Sequence, residues 1–147
     1  MPNLKLFIAT LMLSALAFSA CNESDPDPCE ATQSAEKVVN IQADLIIQST
    51  ESVPVANEPF TITIKLIPCS QEEIIHTFTG ETDENGSYTT DIVNLVLNNT
   101  VDKVEILAVA PDLTNYLTQE FHLVTKRYED LQSFGLENIE LEILTID

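Results

Sequence analysis

The stretch Phe60-Thr61-Ile62-Thr63-Ile64-Lys65-Leu66 decides the fold class. Large apolar residues alternate with polar ones along it, so one side of an extended chain is apolar and the other is polar. Its β-branched threonines also fit the pleated surface of a sheet. The stretch therefore predicts a β-strand with one buried face.

The same alternation occurs elsewhere in the chain. Residues 39–47 place Val39, Ile41, Ala43, Leu45 and Ile47 on one face. Further strands are predicted at residues 73–79, 87–95, 103–110, 116–124 and 139–146, separated by turn signals that include 51–59, 68–71, 98–99 and 111–112. No long stretch carries a helical stripe, and residues 128–134 form at most a short turn in a loop. About seven short strands in roughly 110 residues predict an all-β, antiparallel β-sandwich.

Asn85-Gly86 predicts a tight turn between two adjacent strands. A two-residue type I′ hairpin loop needs positive φ at both central residues, and Asn followed by Gly tolerates this best. The oxygens of Asp83, Asn85, Ser87 and Asp91 offer an alternative interpretation as a Ca²⁺ site, although the spacing is not that of an EF-hand. We expect a plain turn and no bound metal.

Two short stretches resemble known domain families. Residues 82–88 resemble the Thr-Asp-x-x-Gly-x-Tyr/Phe hairpin of carboxypeptidase regulatory-like, transthyretin-like domains. Residues 57–64 look like the second-strand entry of bacterial Ig-like surface domains. The resemblance implies an Ig-like/transthyretin-like antiparallel β-sandwich of about seven strands, in modules that are usually non-catalytic.

The N-terminal residues predict export. Lys5 precedes an apolar run at residues 6–18 and the small pair Ser19-Ala20, which is the layout of a signal peptide over residues 1–20. The 13-residue run is shorter than the roughly 20 apolar residues that a membrane-spanning helix needs. Spanning is therefore not expected.

The sequence Phe18-Ser19-Ala20-Cys21 resembles the lipobox of bacterial lipoproteins. The acidic residues 22–27 look like the export tag of surface lipoproteins in Bacteroidota-type bacteria. The resemblance implies that Cys21 carries lipid, palmitate included, and anchors the protein in the outer membrane, exposed at the cell surface. The alternative is ordinary secretory cleavage beside a chance cysteine.

Composition and charge divide the remaining chain and exclude some partners. Residues 21–37 are polar and predict a lipidated acidic tether, which leaves residues 38–147 as the sandwich domain. Removing residues 1–20 removes Lys5 and no acid, so 24 acidic and 5 basic residues remain, a formal charge of −19. Binding to nucleic acid needs clustered basic residues and is not expected. The same charge disfavours adsorption on anionic lipid head groups.

Two cysteines remain once Cys21 is assigned to lipid. Cys29 and Cys69 could form one disulfide in an oxidising compartment, with two unrelated thiols as the alternative.

No arrangement of residues predicts catalysis or a cofactor. His76 and His122 are the only histidines, each lies within a predicted strand, and His122 alternates with Thr118 and Glu120 on an expected solvent face. No serine has a nucleophile-elbow context, and neither zinc spacing nor a phosphate-binding glycine loop is present.

The predicted function is therefore a membrane-anchored, non-enzymatic cell-envelope lipoprotein. We expect it to act as a binding or structural module for a protein or glycan partner. The alternative is a surface adhesin or a glycan-binding accessory domain in which the loops hold sugar or Ca²⁺.

Overall fold

A computed structural model describes residues 27–69, 71–110 and 121–145. The chain forms two compact units, residues 1–31 and 32–147. In the first unit, the described residues form a four-residue helix, α1 (Pro28–Ala31). The predicted signal peptide, the predicted lipid-bearing Cys21 and the start of the predicted tether lie outside the described residues. The second unit contains all the strands given below.

The described residues of the second unit form eight strands. These are β1 (Gln33–Ser49), β2 (Pro59–Ile67), β3 (Ile74–Glu81), β4 (Ser87–Thr89), β5 (Val93–Asn99), β6 (Lys103–Val109), β7 (Phe121–Arg127) and β8 (Leu136–Thr145). One turn of 3-10 helix, η1 (Tyr128–Asp130), lies where the sequence predicts at most a short turn.

The strands form two sheets. In the first sheet β1 is central: β8 pairs with residues 40–49 of β1, and β5 and β4 pair with residues 33–41 and 44–46. Because β8 occupies one edge of β1, both β4 and β5 lie along the other. The second sheet has the order β3-β2-β6-β7 and is antiparallel throughout.

A single apolar core receives side chains from both sheets. The face predicted from residues 39–47 is fully buried, and so are Ile62, Ile64 and Leu66 of the stretch that decides the fold. The predicted all-β sandwich is therefore confirmed.

Strand β1 begins at Gln33, earlier than the predicted domain boundary at residues 37/38. Gln33 pairs with Asn99 and Lys37 pairs with Leu97, with a register shift between the two pairs. Residues 33–37 are therefore part of a strand because they pair with β5, although their polar composition does not predict one.

The strand predicted at residues 87–95 is interrupted, which gives eight strands in place of seven. At Thr90 a side-chain bond replaces a backbone bond to β1. The Thr90 Oγ1 accepts a hydrogen bond from the Ala43 backbone N–H at 3.0 Å. The Thr90 backbone N–H donates to the Ala43 carbonyl at 3.0 Å. The regular ladder therefore stops at β4 and resumes at β5.

One strand pair departs from the predicted antiparallel arrangement. Strand β8 runs parallel to β1. After β7 the chain crosses from the second sheet to the beginning of β1, where the Phe134 backbone N–H donates to the Val38 carbonyl at 2.7 Å and the Asn40 N–H to the Gly135 carbonyl at 3.3 Å. Entry at that end makes the two strands run in the same direction.

Candidate functional site

The outer side of the second sheet carries a flat array of uncharged side chains. The strand registers place Thr79, Thr61, Val109 and Phe121 in one row across the four strands. The adjacent row is formed by Thr77, Thr63, Leu107 and Leu123. We call these eight residues the uncharged face.

The uncharged face combines apolar groups with hydroxyl groups that water can reach. Phe121 is 56 % exposed and Leu123 is 49 % exposed, while Thr77 and Thr79 are also exposed. Large apolar side chains left exposed side by side mark interaction surfaces more often than singly exposed ones do. In a chain with a formal charge of −18, an array without charge is the surface that another molecule can cover at the lowest desolvation cost.

Ion pairs border this face. Lys65 Nζ lies 2.8 Å from the Glu73 carboxylate, and Lys103 Nζ lies 2.9 Å from the Glu105 carboxylate. Lys65 and Glu105 are opposite each other in the row next to Thr63 and Leu107. These pairs keep charge at the rim and away from the array, which is the layout of a protein interface with a polar rim.

The β7 part of this face is not predicted by the sequence, because the side chains of β7 point to the opposite sides of the sheet from those expected. Its apolar Phe121 and Leu123 point outward, whereas His122 and Lys126 lie on the side that faces the core. The expectation that His122 lies on a solvent face is therefore wrong. The register with β6 places Ala108, a fully buried residue, opposite His122, and opposite residues share one side of a sheet.

His122 connects the two sheets at one edge of the sandwich. The Glu142 backbone N–H of β8 donates to His122 Nδ1 at 2.8 Å. The Glu142 carbonyl lies 3.0 Å from the same nitrogen. This contact fixes β7 beside β8, and it gives the half-buried histidine a structural partner.

The structure does not bring the two histidines together. His76 is on β3 and His122 on β7, at opposite edges of the second sheet. Three strand spacings separate these edges, about 14 Å. Within residues 27–69, 71–110 and 121–145, no three His, Cys, Asp or Glu residues are grouped as metal ligands.

The Asn85-Gly86 turn differs from the prediction in two respects. Positive φ occurs at Gly86 (68°) but not at Asn85, and the Gly86 N–H donates to the Asp83 carbonyl at 3.0 Å. Together with the bond from the Asp83 N–H to the Ser87 carbonyl, this is the pattern of a three-residue loop with one left-handed residue, so the predicted type I′ turn is wrong. The turn also joins β3 of the second sheet to β4 of the first, rather than two adjacent strands.

Of the four oxygen-bearing residues that could form a Ca²⁺ site, Asp91 lies apart from the other three. Asp83 Oδ1 accepts backbone hydrogen bonds from Ser87 at 2.8 Å and from Asn85 at 2.9 Å. Gly86 is hydrogen-bonded to Ile47 of β1, whereas Thr90 is hydrogen-bonded to Ala43, which lies four residues before Ile47 in the same strand. Asp91 therefore lies about 13 Å along the strand from the turn.

The hydrogen bond from the Ser87 backbone lowers the pKa of Asp83 below its ordinary value. Desolvation opposes this effect, and the bonds from Asn85 add to it. The carboxylate of Asp83 is thus used to close the turn.

The cysteines fall in different units of the chain. The Cys69 backbone N–H donates to Asp102 Oδ1 at 2.9 Å, and the Cys29 N–H donates to Asp27 Oδ1 at 2.9 Å. The pairing of Cys29 with Cys69 stays a prediction.

No family, curated protein or solved structure matches the chain. Among the described residues, no helix has the length and apolar character needed to cross a bilayer.

Proposed function

We propose that this chain is a lipid-anchored, non-enzymatic module of a bacterial cell envelope that binds a partner protein through the uncharged face. The observation that carries the binding part is the exposure of Phe121 and Leu123 next to a threonine array in a strongly acidic chain. The anchoring part rests on the sequence before and at Cys21 and on the acidic stretch after it.

The two parts of the proposal fit each other physically. Acyl chains on Cys21 would hold the domain at a membrane, since each buried methylene contributes about 0.8 kcal/mol. The acidic residues of the domain would keep it away from anionic head groups. The uncharged face would then stay available to a protein rather than to lipid.

Anchoring is tested by metabolic labelling of producing cells with palmitate. We expect label in the wild-type chain and none in Cys21→Ala, and we expect globomycin to block processing of the wild-type precursor. Label retained by Cys21→Ala would contradict lipidation at this residue.

Binding is tested by cross-linking on intact cells, with the anchor retained. The double variant Phe121→Asp/Leu123→Asp introduces charge into the uncharged face and should lose its cross-linked partner. The control Val53→Asp/Val101→Asp changes two apolar residues of similar exposure outside the second sheet and should keep it. Equal losses in both variants would contradict binding through this face.

A further inference from the structure

Three of the four sheet edges in the described part of the chain carry features that discourage pairing with another strand. Strand β8 carries Glu140 and Glu142, and the His122 ring occupies backbone groups of Glu142. Strand β7 ends in Lys126-Arg127 and is held to β8 by His122. The edge formed by β4 and β5 is broken between them at residues 90–92. Charges, bulges and covering contacts are the usual means of protecting sheet edges.

The fourth edge, β3, carries a charged residue only at its last position, Glu81. Residues 74–80 include no charged residue and no proline. They pair with β2 from Ile74 to Glu81 without a register shift, so the strand is regular along its length. No other described strand pairs with its second edge. A regular, uncharged edge presents a row of unpaired backbone N–H and C=O groups that can receive another strand.

We propose that the free edge of β3 binds an extended segment of a partner protein, which adds to the second sheet as a fifth strand. This proposal rests on the proposed function and names how the partner is bound. Backbone hydrogen bonds would supply most of the contact, as in other cases of strand addition. Alternate side chains of the added strand would extend the rows of Thr77 and Thr79, so that the uncharged face continues onto the partner.

The charges around β3 define the chemistry of that segment. Glu72 and Glu73 precede the strand, and Glu81 and Asp83 follow its uncharged part. Lys65 pairs with Glu73, whereas the other acids have no cation within 4.0 Å among the described residues. A complementary segment has basic residues at both ends and β-branched or apolar residues between them.

A second copy of this chain fits the edge less well. It would bring two molecules of formal charge −18 together. A two-fold antiparallel pairing centred on Thr77 would also place Glu73 opposite Glu81, and like charges directly opposite each other destabilise a strand pair. A basic-ended segment of another protein removes both conflicts.

The probe is a fluorescent peptide of about ten residues, with two lysines at each end and alternating threonine and valine between them. Its binding to the full chain, purified in a non-ionic detergent, is measured by fluorescence anisotropy. A peptide with glutamates in place of the lysines is the charge control. We expect the lysine peptide to bind at least about tenfold more tightly than the glutamate peptide, and added salt to reduce the difference.

Two matched variants locate the binding. Ile75→Lys adds charge to the β3 edge, where Ile75 is 54 % exposed, and should weaken binding of the lysine peptide about tenfold. Ile92→Lys makes the same change at a residue that is 51 % exposed in the β4–β5 link and should leave binding unchanged. Hydrogen–deuterium exchange should show slower exchange in residues 74–81 when the lysine peptide is bound.

Several results would overturn the proposal. These are equal binding of the two peptides, equal weakening by the two variants, absence of binding at millimolar peptide, or a peptide-free chain that is already dimeric through β3. Loss of the cellular partner in Phe121→Asp/Leu123→Asp together with no peptide binding would reject strand addition and leave the proposed function intact. Peptide binding without any cellular partner would reject the proposed function alone.

Discussion

Strands β3 and β7 are the two edge strands of the second sheet, and they differ in their contacts with the first sheet. The inward His122 of β7 contacts the backbone of β8, so this edge is closed against the first sheet. Beyond the end of β3, the turn at Gly86 is hydrogen-bonded to Ile47 of the first sheet, and the inward Phe78 of β3 packs against the core. The difference shows that an edge is protected by individual side chains rather than by the sheet as a whole, which leaves β3 as the open edge of the described domain.

The largest expected effect is at the turn that ends β3. A Cβ atom at Gly86 would lie 2.4 Å from the Ile47 carbonyl oxygen and 2.9 Å from the Val55 nitrogen, and the residue has a φ of 68°. Both the backbone contacts and the left-handed conformation oppose a side chain, so Gly86→Ala should lower the free energy of unfolding by about 3 kcal/mol or more. Urea denaturation measures it.

The control for this prediction is Gly135→Ala. A Cβ there would have its nearest contact at 3.4 Å, with a glutamine side chain, and no positive φ is involved. It should change stability by less than about 1 kcal/mol. Similar losses in the two variants would show that Gly86 does not have the special role assigned to it.

An intermediate effect is expected at the closed edge. His122→Ala removes the acceptor of the Glu142 N–H and should lower the free energy of unfolding by about 1 kcal/mol. Amide exchange at Glu142 should become faster at the same time. Thr125→Ala, an exposed position on the same strand, is the control and should leave that amide unchanged. Unchanged exchange in His122→Ala would remove the basis for calling β7 the closed edge.

The smallest expected effect is the pH dependence of the β3–β4 turn. The Ser87 backbone N–H lowers the pKa of Asp83, so the stabilisation from its charge is present above the ordinary aspartate pKa of about 4. It is lost as pH falls through the lowered value. Wild type should therefore exceed Asp83→Asn in stability at about pH 6 and by less at about pH 3. A difference that stays constant over this range would contradict a role for the charge.

The sequence predicts a strand and its buried side correctly where apolar residues alternate with polar ones and the apolar positions are the buried ones. Residues 39–47 and 60–66 have apolar side chains at every second position, and the structure buries those positions. The same pattern predicts the wrong buried side for β7, because its apolar Phe121 and Leu123 are exposed while His122 lies on the side that faces the core. Only its register with β6 decides which side faces the core. The sequence alone therefore does not predict the uncharged face.

Non-local contacts explain the other differences. The interruption at Thr90 depends on bonds to Ala43, and the direction of β8 depends on where the chain meets Val38. The turn at Asn85-Gly86 was found from its residues, but its form follows from the close approach of Ile47 and Val55 to Gly86. None of these partners is near its counterpart in the sequence.

Photo-cross-linking on intact cells tests the open β3 edge most directly. A photoreactive amino acid replaces Ile75 in one sample and Ile92, of matched exposure, in the other. We predict an adduct with another protein from position 75, joined to an extended segment with basic ends, and no adduct from position 92. Adducts of equal yield from both positions, or an adduct from position 75 with the mass of two copies of this chain, would contradict it.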